Sequence, residues 1–261
     1  MLHFSNLSVA YHNHPRALID LNLHIQKGEI VSLVGESGSG KTTVLRAAMG
    51  LLPPCGTITG GAITLDGAPL LDLSEQARNR LRGTDLSMIF QDTGAMLNPI
   101  RTVGSQFVEY IRAHRKMPRQ ESWDLACEML SKMGLTRSEQ VMQSIPSQLS
   151  GGMRQRVGIA MAMTFQPKVL LADEPTSALD VTTQAQIVHQ MGALRDQFGT
   201  TMVLSTHNLG VAAYISDRIV VMKGGQVVEM GPTDQLMGSP QTAYTRDLLH
   251  SIPVLGGKSY V

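Results

Sequence analysis

The segment from Gly35 to Thr42, which reads GESGSGKT, constrains the fold of this chain more than any other part of the sequence. It matches the pattern G-x-x-x-x-G-K-[ST]. The apolar run Ile30 to Val34 predicts a buried strand directly before it, and the apolar spacing from Thr42 to Leu51 predicts a helix directly after it. A strand, a glycine-rich turn and a helix in this order predict a loop that binds phosphate through backbone amides and a helix N-terminus.

The residue types of this segment suit phosphate chemistry. Glycines allow the tight curl of the backbone, Lys41 would neutralise the β- and γ-phosphates of ATP, and Thr42 would offer its hydroxyl to Mg²⁺. The alternative is an ordinary Gly/Ser loop, but the strand and helix on either side favour nucleotide binding. The candidate nucleotide-binding residues of this segment are Gly35, Glu36, Ser37, Gly38, Ser39, Gly40, Lys41, Thr42 and Thr43.

Size and composition limit the other classes of function. The 261 residues are enough for one large domain, or for a core with an inserted subdomain. Lys and Arg number 22 against 21 Asp and Glu, which gives a net charge of +1 and no electrostatic case for a nucleic-acid partner. Cys55 and Cys127 are far apart and outside a C-x-x-C spacing, which fits a reducing compartment.

No stretch of the sequence predicts a signal peptide or a membrane-spanning helix. The N-terminus has no basic stretch that leads into an apolar run. No segment approaches the roughly 18 uninterrupted apolar residues of a spanning helix. We therefore expect that any link to a membrane comes through a partner.

The apolar runs predict an α/β fold. Leu7 to Tyr11, Leu21 to Ile25 and Gly60 to Leu65 indicate a small antiparallel β region. Val169 to Ala172 and Thr201 to Ser205 read as strands, and the long helical stretch from Thr182 to Phe198 separates them. This alternation is typical of a parallel sheet. Arg218 to Met222 and Gln226 to Glu229, with a Gly224-Gly225 turn between them, read as a final pair of strands.

The middle of the chain has a different pattern. Residues from about 92 to 165 lack strand-like runs and include helical stretches at Val103 to His114 and Ser122 to Met133. We therefore expect one domain over 1–261 with a phosphate-loop NTPase core whose sheet is mixed and mainly parallel, an N-terminal antiparallel β subdomain and an inserted α-helical subdomain. The core would take about 1–91 and 166–231, the helical subdomain about 92–165, and a C-terminal tail 232–261.

Two carboxylates follow the predicted strand at 169–172. Asp173 and Glu174 would lie at the carboxyl end of the sheet, where ligands bind in open α/β folds. Asp173 would hold Mg²⁺ directly or through water, and Glu174 would orient and polarise the attacking water. The alternative is a solvated turn before Pro175, which the phosphate loop makes the weaker interpretation.

The segment LSGGM at 149–153, followed by RQR, resembles the signature motif of ATP-binding cassette proteins. Alone, Ser150 could simply cap a helix. The resemblance implies that Ser150, Gly151 and Gly152 form an anion site that closes on the γ-phosphate held by an opposite subunit. One chain would then be unable to complete its own active site.

The other motifs of this family have counterparts here. Gln91 is similar to the glutamine-loop residue and is a candidate catalytic residue and Mg²⁺ ligand, while Asp180 is similar to the aspartate-loop residue. His207 resembles the switch histidine that would support Glu174 and the attacking water. Tyr11 resembles the aromatic residue that stacks on adenine, with a half-buried strand tyrosine as the alternative.

One branch of the family is the most similar. Segments 90–92 (FQD), 97–99 (LNP) and 102–104 (TVG) resemble the branch that powers import of dipeptides, oligopeptides and nickel, and Met153 stands where the wider family has Gln. Segment 240–249 is similar to the terminal helix motif of that branch, or is a plain capping helix. Longer peptide-importing members carry a cysteine-containing extension, and the end of this chain at Val261 favours a nickel or metal-chelate importer.

The resemblance implies an ATPase that binds MgATP at a dimer interface and powers import of a nickel or metal chelate, or of di- or oligopeptides. The implied partners are a second cassette, in a heterodimer, two transmembrane permease subunits and an extracytoplasmic substrate-binding protein, with no nucleic acid. The implied location is the cytoplasmic face of a bacterial-type cell membrane, as a peripheral subunit. Two alternatives remain: a soluble ABC ATPase outside transport, and a structural cassette that binds ATP without hydrolysis.

Overall fold

The structure, a computed structural model, describes residues 1–91, 93–177 and 179–250, so Asp92, Ala178 and the predicted tail beyond His250 lie outside the described residues. The strands are β1 (Leu2–Tyr11), β2 (His14–Ile25), β3 (Ile30–Val34), β4 (Gly56–Leu65), β5 (Ala68–Pro69), β6 (Leu86–Ile89), β7 (Val169–Asp173), β8 (Thr201–Thr206), β9 (Arg218–Lys223) and β10 (Gln226–Pro232). The helices are α1 (Lys41–Met49), α2 (Glu75–Leu81), α3 (Thr93–Met96), α4 (Val103–His114), α5 (Arg119–Lys132), α6 (Ser138–Gln143), α7 (Gly151–Met163), α8 (Val181–Phe198), α9 (Leu209–Ile215), α10 (Thr233–Gly238) and α11 (Ala243–His250), with a 3₁₀ turn at Pro146–Gln148.

The strands form two sheets. A six-stranded sheet has the order β10-β9-β3-β8-β7-β6, in which β9 to β6 run parallel and β10 is antiparallel to β9. A four-stranded antiparallel sheet has the order β2-β1-β4-β5. The prediction of a mixed, mainly parallel core sheet with an N-terminal antiparallel β region is therefore confirmed.

The central strands are apolar on both faces because both faces are covered. On β7, Val169 and Leu171 pack in a core with α1 and the antiparallel sheet. Leu170 and Ala172, which point to the opposite side, pack in a core with the helices of the middle region. Continuous apolar runs of this kind are typical of buried parallel strands.

Helices α3 to α7 lie between β6 and β7 in the sequence and supply most of that second core. Phe107 and Ile111 of α4 are fully buried in the same apolar cluster as Leu170 and Leu204 of the central sheet. The helical region is therefore joined to the sheet by shared packing. We retain the division into core, helical subdomain and tail as a proposal.

Some predicted element bounds match the structure, and others differ at one or both ends. Strand β3 and helix α4 have the predicted bounds. Strands β1 and β2 begin earlier than expected, at Leu2 and His14, because each pairs along most of its length with its neighbour. Helix α2 was not expected. In residues 1–91, 93–177 and 179–250, every helix is too short or too polar to cross a bilayer.

Strand register brings three strand ends to one edge of the sheet. Val34 pairs with Thr206, and Asp173 pairs with Ser205, so β3, β7 and β8 end side by side. The phosphate-loop segment follows β3 directly. Ligands of open α/β sheets bind at such carboxyl ends.

Candidate functional site

The segment 35–42 forms a tight loop that only glycine allows at two positions. At Gly35, an added Cβ would lie 2.2 Å from the Met222 carbonyl oxygen, at the end of β9. At Gly40 (φ 105°), an added Cβ would lie 2.8 Å from the Ala17 carbonyl oxygen of β2. The loop is thus pressed between the two sheets, and helix α1 begins at Lys41 immediately after it.

Lys41 lies inside this loop. Its Nζ donates to the carbonyl oxygens of Gly35 (2.6 Å) and Glu36 (2.9 Å). The residue is only 5% exposed. Burial lowers the pKa of Lys41 from its usual value, and the charges of Glu174 and Asp173 oppose this effect.

Asp173 joins the loop to the neighbouring strands. Its Oδ1 accepts hydrogen bonds from the hydroxyls of Thr42 (2.8 Å) and Ser205 (2.6 Å), and the residue is 2% exposed. A carboxylate, a threonine hydroxyl and a serine hydroxyl therefore meet at one point of the sheet edge.

Glu174 begins the turn after β7 in a backbone conformation that is unusual for its side chain. Its φ is 45°, in the left-handed region, and its N–H donates to the carbonyl oxygen and to the hydroxyl of Ser205, both at 3.0 Å. Its Oε2 lies 3.2 Å from Nδ1 of His207. The Glu174 side chain is 19% exposed and that of His207 65%. Two of the three predicted catalytic residues, Glu174 and His207, are thus in direct contact.

A cleft of about 230 Å³ opens over this edge. Tyr11 lines it, and the Tyr11 hydroxyl lies 3.1 Å from Oγ1 of Thr43. Gln91 also lines it, and its carbonyl oxygen accepts a hydrogen bond from Ser177 at 3.5 Å. The other lining residues are His14, Ala17, Ser37, Gly38, Gly40, Lys41, Thr42, Thr43 and Glu174. The structure therefore brings together the phosphate loop, the tyrosine, the glutamine and the glutamate.

Ser150, Gly151, Gly152 and Asp180 form a second group. The Ser150 hydroxyl accepts a hydrogen bond from the Met153 N–H (3.2 Å) and caps α7. Asp180 caps α8 by accepting the N–H (2.9 Å) and the hydroxyl (2.7 Å) of Thr183, and these bonds lower the pKa of its carboxyl group. An added Cβ on Gly152 would lie 2.6 Å from Cγ2 of Thr183, so the two helix starts pack together. None of these four residues is among the described residues that line the cleft.

The chain is similar to known proteins over most of its length. The family model for the ABC transporter matches residues 18–177. The oligopeptide transport ATP-binding protein AppD of Bacillus subtilis is 46% identical over 243 residues, which cover 93% of this chain and 74% of AppD. The chain belongs to the ABC transporter family. The oligopeptide transport protein OppD of the same organism is 43% identical, over 94% of this chain and 69% of OppD.

Solved ABC cassettes have the same fold. The dimeric cassette MJ0796 in a post-hydrolysis state with ADP and Pi superposes with a TM-score of 0.79 at 31% identity, over 89% of this chain and 99% of that one. The protein cbiO1 of Clostridium perfringens gives a TM-score of 0.80 at 27% identity, over 91% of this chain and 90% of that one. With the family match and the AppD and OppD relatives, these likenesses identify the chain as an ATP-binding, ATP-hydrolysing subunit of the ABC transporter family.

Sequence reasoning missed one polar residue of the ABC site. Ser205 donates to Asp173 and accepts from Glu174, so it fixes both carboxylate-bearing residues. It is fully buried at the end of β8. One signal could have identified it: Ser205 is a serine near the carboxyl end of an apolar strand, and the neighbouring strand ends in carboxylates.

Proposed function

We propose that this ABC subunit hydrolyses MgATP at an interface with a second cassette and thereby drives the import of short peptides. The observation that carries the proposal is the contact of Glu174 with His207 at the edge of a cleft that the phosphate loop lines. A carboxylate at that place, oriented by a histidine, is suited to polarise a water molecule against a bound phosphate.

We assign ATP binding to the loop from Gly35 to Thr42 and to Thr43. Nζ of Lys41 keeps the Gly35 carbonyl as a partner and turns its other N–H groups to the phosphate oxygens of ATP, and the backbone amides at the start of α1 add their partial positive charge. The contact of the Tyr11 hydroxyl with Thr43 holds the tyrosine in the cleft lining, where its ring packs against adenine.

We assign Mg²⁺ to oxygen atoms of the cleft beside the loop. The Thr42 hydroxyl, the Asp173 carboxylate and the side-chain amide of Gln91 are hard oxygen donors, which suit this ion. When bound, Mg²⁺ supplies charge neutralisation of the phosphates. The hydrogen bond of Ser205 orients the Asp173 carboxylate, and Gln91 reaches the cleft from the end of β6.

We assign the second group of residues to the ATP of the opposite cassette. Ser150, Gly151 and Gly152 start helix α7 and are separate from the cleft of their own chain. The N-terminus of a helix favours an anion, so it can close on a γ-phosphate from across a dimer. Asp180 caps the neighbouring helix and would lie at the same interface. The opposite cassette is a second, different ATPase chain, so the two form a heterodimer.

We place the contact with the membrane partners in a groove between the sheet and the helical region. The groove has a volume of about 530 Å³ and is bordered by β6, α4 and α7. Its lining includes Met88, Phe90, Met96, Leu97, Tyr110 and Met161. An apolar groove of this kind suits a short helix from a transmembrane permease subunit. The subunit would then sit peripherally on the cytoplasmic face of the membrane, with an extracytoplasmic protein that delivers substrate.

The choice of peptides over nickel rests on the relatives. AppD and OppD are named as oligopeptide transport proteins, whereas the length of the C-terminal tail was the argument for nickel. The deciding experiment is ATPase activity of the reconstituted transporter with its binding protein, in the presence of short peptides, nickel or nickel complexed with histidine. We expect stimulation by peptides, and stimulation by the nickel species alone would overturn this assignment. The control is the same transporter with the Glu174→Gln subunit, which measures ATPase activity that does not come from this site.

A further inference from the structure

Helix α11, near the end of the described chain, contacts the phosphate loop directly. The Tyr244 hydroxyl accepts a hydrogen bond from the Glu36 N–H at 3.3 Å. Tyr244, together with other residues of α11, also packs against the apolar cluster that contains Val34, the last residue of β3. The loop is thus supported from a helix that is about two hundred residues away in the sequence.

Lys223 and Glu229 hold the Tyr244 ring and the start of its helix in place. Nζ of Lys223, at the end of β9, lies 4.5 Å from the centre of the ring, which is a cation–π contact. At the start of α11, Glu229 of β10 accepts hydrogen bonds from the N–H groups of Gln241 (2.7 Å) and Thr242 (3.0 Å). Although burial acts to raise it, these bonds hold the pKa of Glu229 below its usual value. The charged carboxylate therefore anchors α11 at neutral pH.

The hydrogen bond acts on the peptide unit that also binds Lys41. The N–H of Glu36 and the carbonyl of Gly35 belong to one planar peptide, in which they point in opposite directions. The Gly35 carbonyl accepts from Nζ of Lys41 at 2.6 Å. Because the unit is rigid, a bond that holds the N–H on one side also sets the direction of the carbonyl on the other.

We propose that Tyr244 is a positioning residue for ATP binding: its hydroxyl fixes the Gly35–Glu36 peptide, and through it the Lys41 side chain and the shape of the phosphate loop. This inference rests on the proposed role of Lys41. Tyr244 contacts neither of the residues assigned to hydrolysis, Glu174 and His207, so it acts on the affinity for ATP and leaves the hydrolytic step unchanged.

The test is the substitution Tyr244→Phe, which removes the hydroxyl and retains the ring. In the full chain with Glu174→Gln to prevent hydrolysis, we expect the Kd of a fluorescent ATP analogue to rise about two- to tenfold, as for the loss of one hydrogen bond. In the assembled transporter with intact Glu174, the KM for ATP should rise by a similar factor while kcat changes less than about twofold.

Two further measurements separate positioning from simple packing. Hydrogen exchange of the Glu36 amide should become faster in Tyr244→Phe, because that amide loses its acceptor. The matched control is Tyr214→Phe, on the exposed face of α9, where the hydroxyl lies 3.5 Å from Nδ1 of His189. This variant should change neither the Kd nor the exchange of Glu36.

The inference is wrong if Tyr244→Phe binds ATP as tightly as the parent chain, even if Tyr244→Leu binds weakly, because the ring alone would then suffice. It is also wrong if kcat falls as much as the affinity. A Lys41→Ala variant in the same series tests the proposed site itself. If Lys41→Ala leaves ATP affinity unchanged, the proposed function fails. If Lys41→Ala weakens binding but Tyr244→Phe does not, only the inference fails.

Discussion

The phosphate-loop side of the site and the Ser150 side hold their polar groups in different ways. On the first side, Thr42, Asp173 and Ser205 come from three separate elements and bond to one another. On the second, the side chains of Ser150 and Asp180 bond, among the described residues, only to the start of their own helices, through Met153 and Thr183. The first side is organised within the chain, whereas the second presents two capped helix starts that would act only when another chain faces them.

The largest effect should come from Glu174→Gln, which tests the organised side. The amide keeps the shape of the side chain but cannot act as a base, so ATP turnover at this chain's own site in the assembled transporter should fall by about 10²- to 10⁴-fold. ATP affinity should stay within about twofold, because the phosphate loop is untouched. Phosphate release and nucleotide titration measure the two quantities, with the exposed Glu121→Gln as control. An ATPase rate that is unchanged would favour a structural cassette.

Lys41→Ala should weaken ATP binding even in the isolated chain, without a partner. Loss of the ammonium group removes charge-assisted bonds to phosphate, and we expect the Kd for ATP to rise about 100-fold. Titration of the isolated full chain is sufficient, since this side needs no partner. Lys27→Ala, at an exposed turn, is the matched control. If the loss of affinity is seen only in the assembled transporter, the contrast between the two sides is wrong.

Ser150→Asp tests the other side. Aspartate is as good a helix cap as serine, so the melting temperature should be retained. Its charge would repel the γ-phosphate of the opposite cassette, and the ATPase rate of the assembled transporter should fall about tenfold. ATP affinity of the isolated chain should not change. Ser150→Ala gives the reverse pattern: it loses about 1 kcal/mol of stability with the cap but keeps the backbone amides and more of the activity.

The smallest effect should come from Tyr11, which lies on the phosphate-loop side and would touch only the base of the bound nucleotide. Tyr11→Ala should raise the Kd for ATP about fivefold through loss of stacking. Tyr11→Phe keeps the ring and loses the contact with Thr43, so its Kd should change less than about twofold. Comparison of ATP with GTP in both variants checks that the ring contacts the base. Equal effects of the two substitutions would contradict the assignment to adenine.

The sequence predicted the fold best where local pattern and tertiary packing agree. The run Ile30–Val34 is fully buried, and its continuous apolar character determined its bounds. The segment Glu75–Leu81 has no buried residue, so no apolar periodicity marked it as a helix. The sequence feature that marks the start of this helix is Ser74, whose hydroxyl accepts a hydrogen bond from the Ala77 N–H and caps the helix.

The sequence predicted the individual candidate residues of the site but not the hydrogen bonds that join them. A glycine-rich pattern and an acidic strand end identify Lys41 and Asp173 because their chemistry needs those residue types. The role of Ser205 depends on strand register, and that of Tyr244 depends on how α11 packs against β3. Both are tertiary properties, and the local pattern marks Ser205 only as a serine near the end of an apolar strand.

The left-handed backbone of Glu174 has a consequence for how this chain can change over generations. A non-glycine residue there costs about 1 kcal/mol or more, so stability alone would favour glycine at this position. If the chain were selected only for folded protein, without selection for transport, residue 174 should drift to glycine and the melting temperature should rise. A carboxylate at this position therefore lowers stability, and the proposed role of Glu174 in ATP turnover would account for that cost.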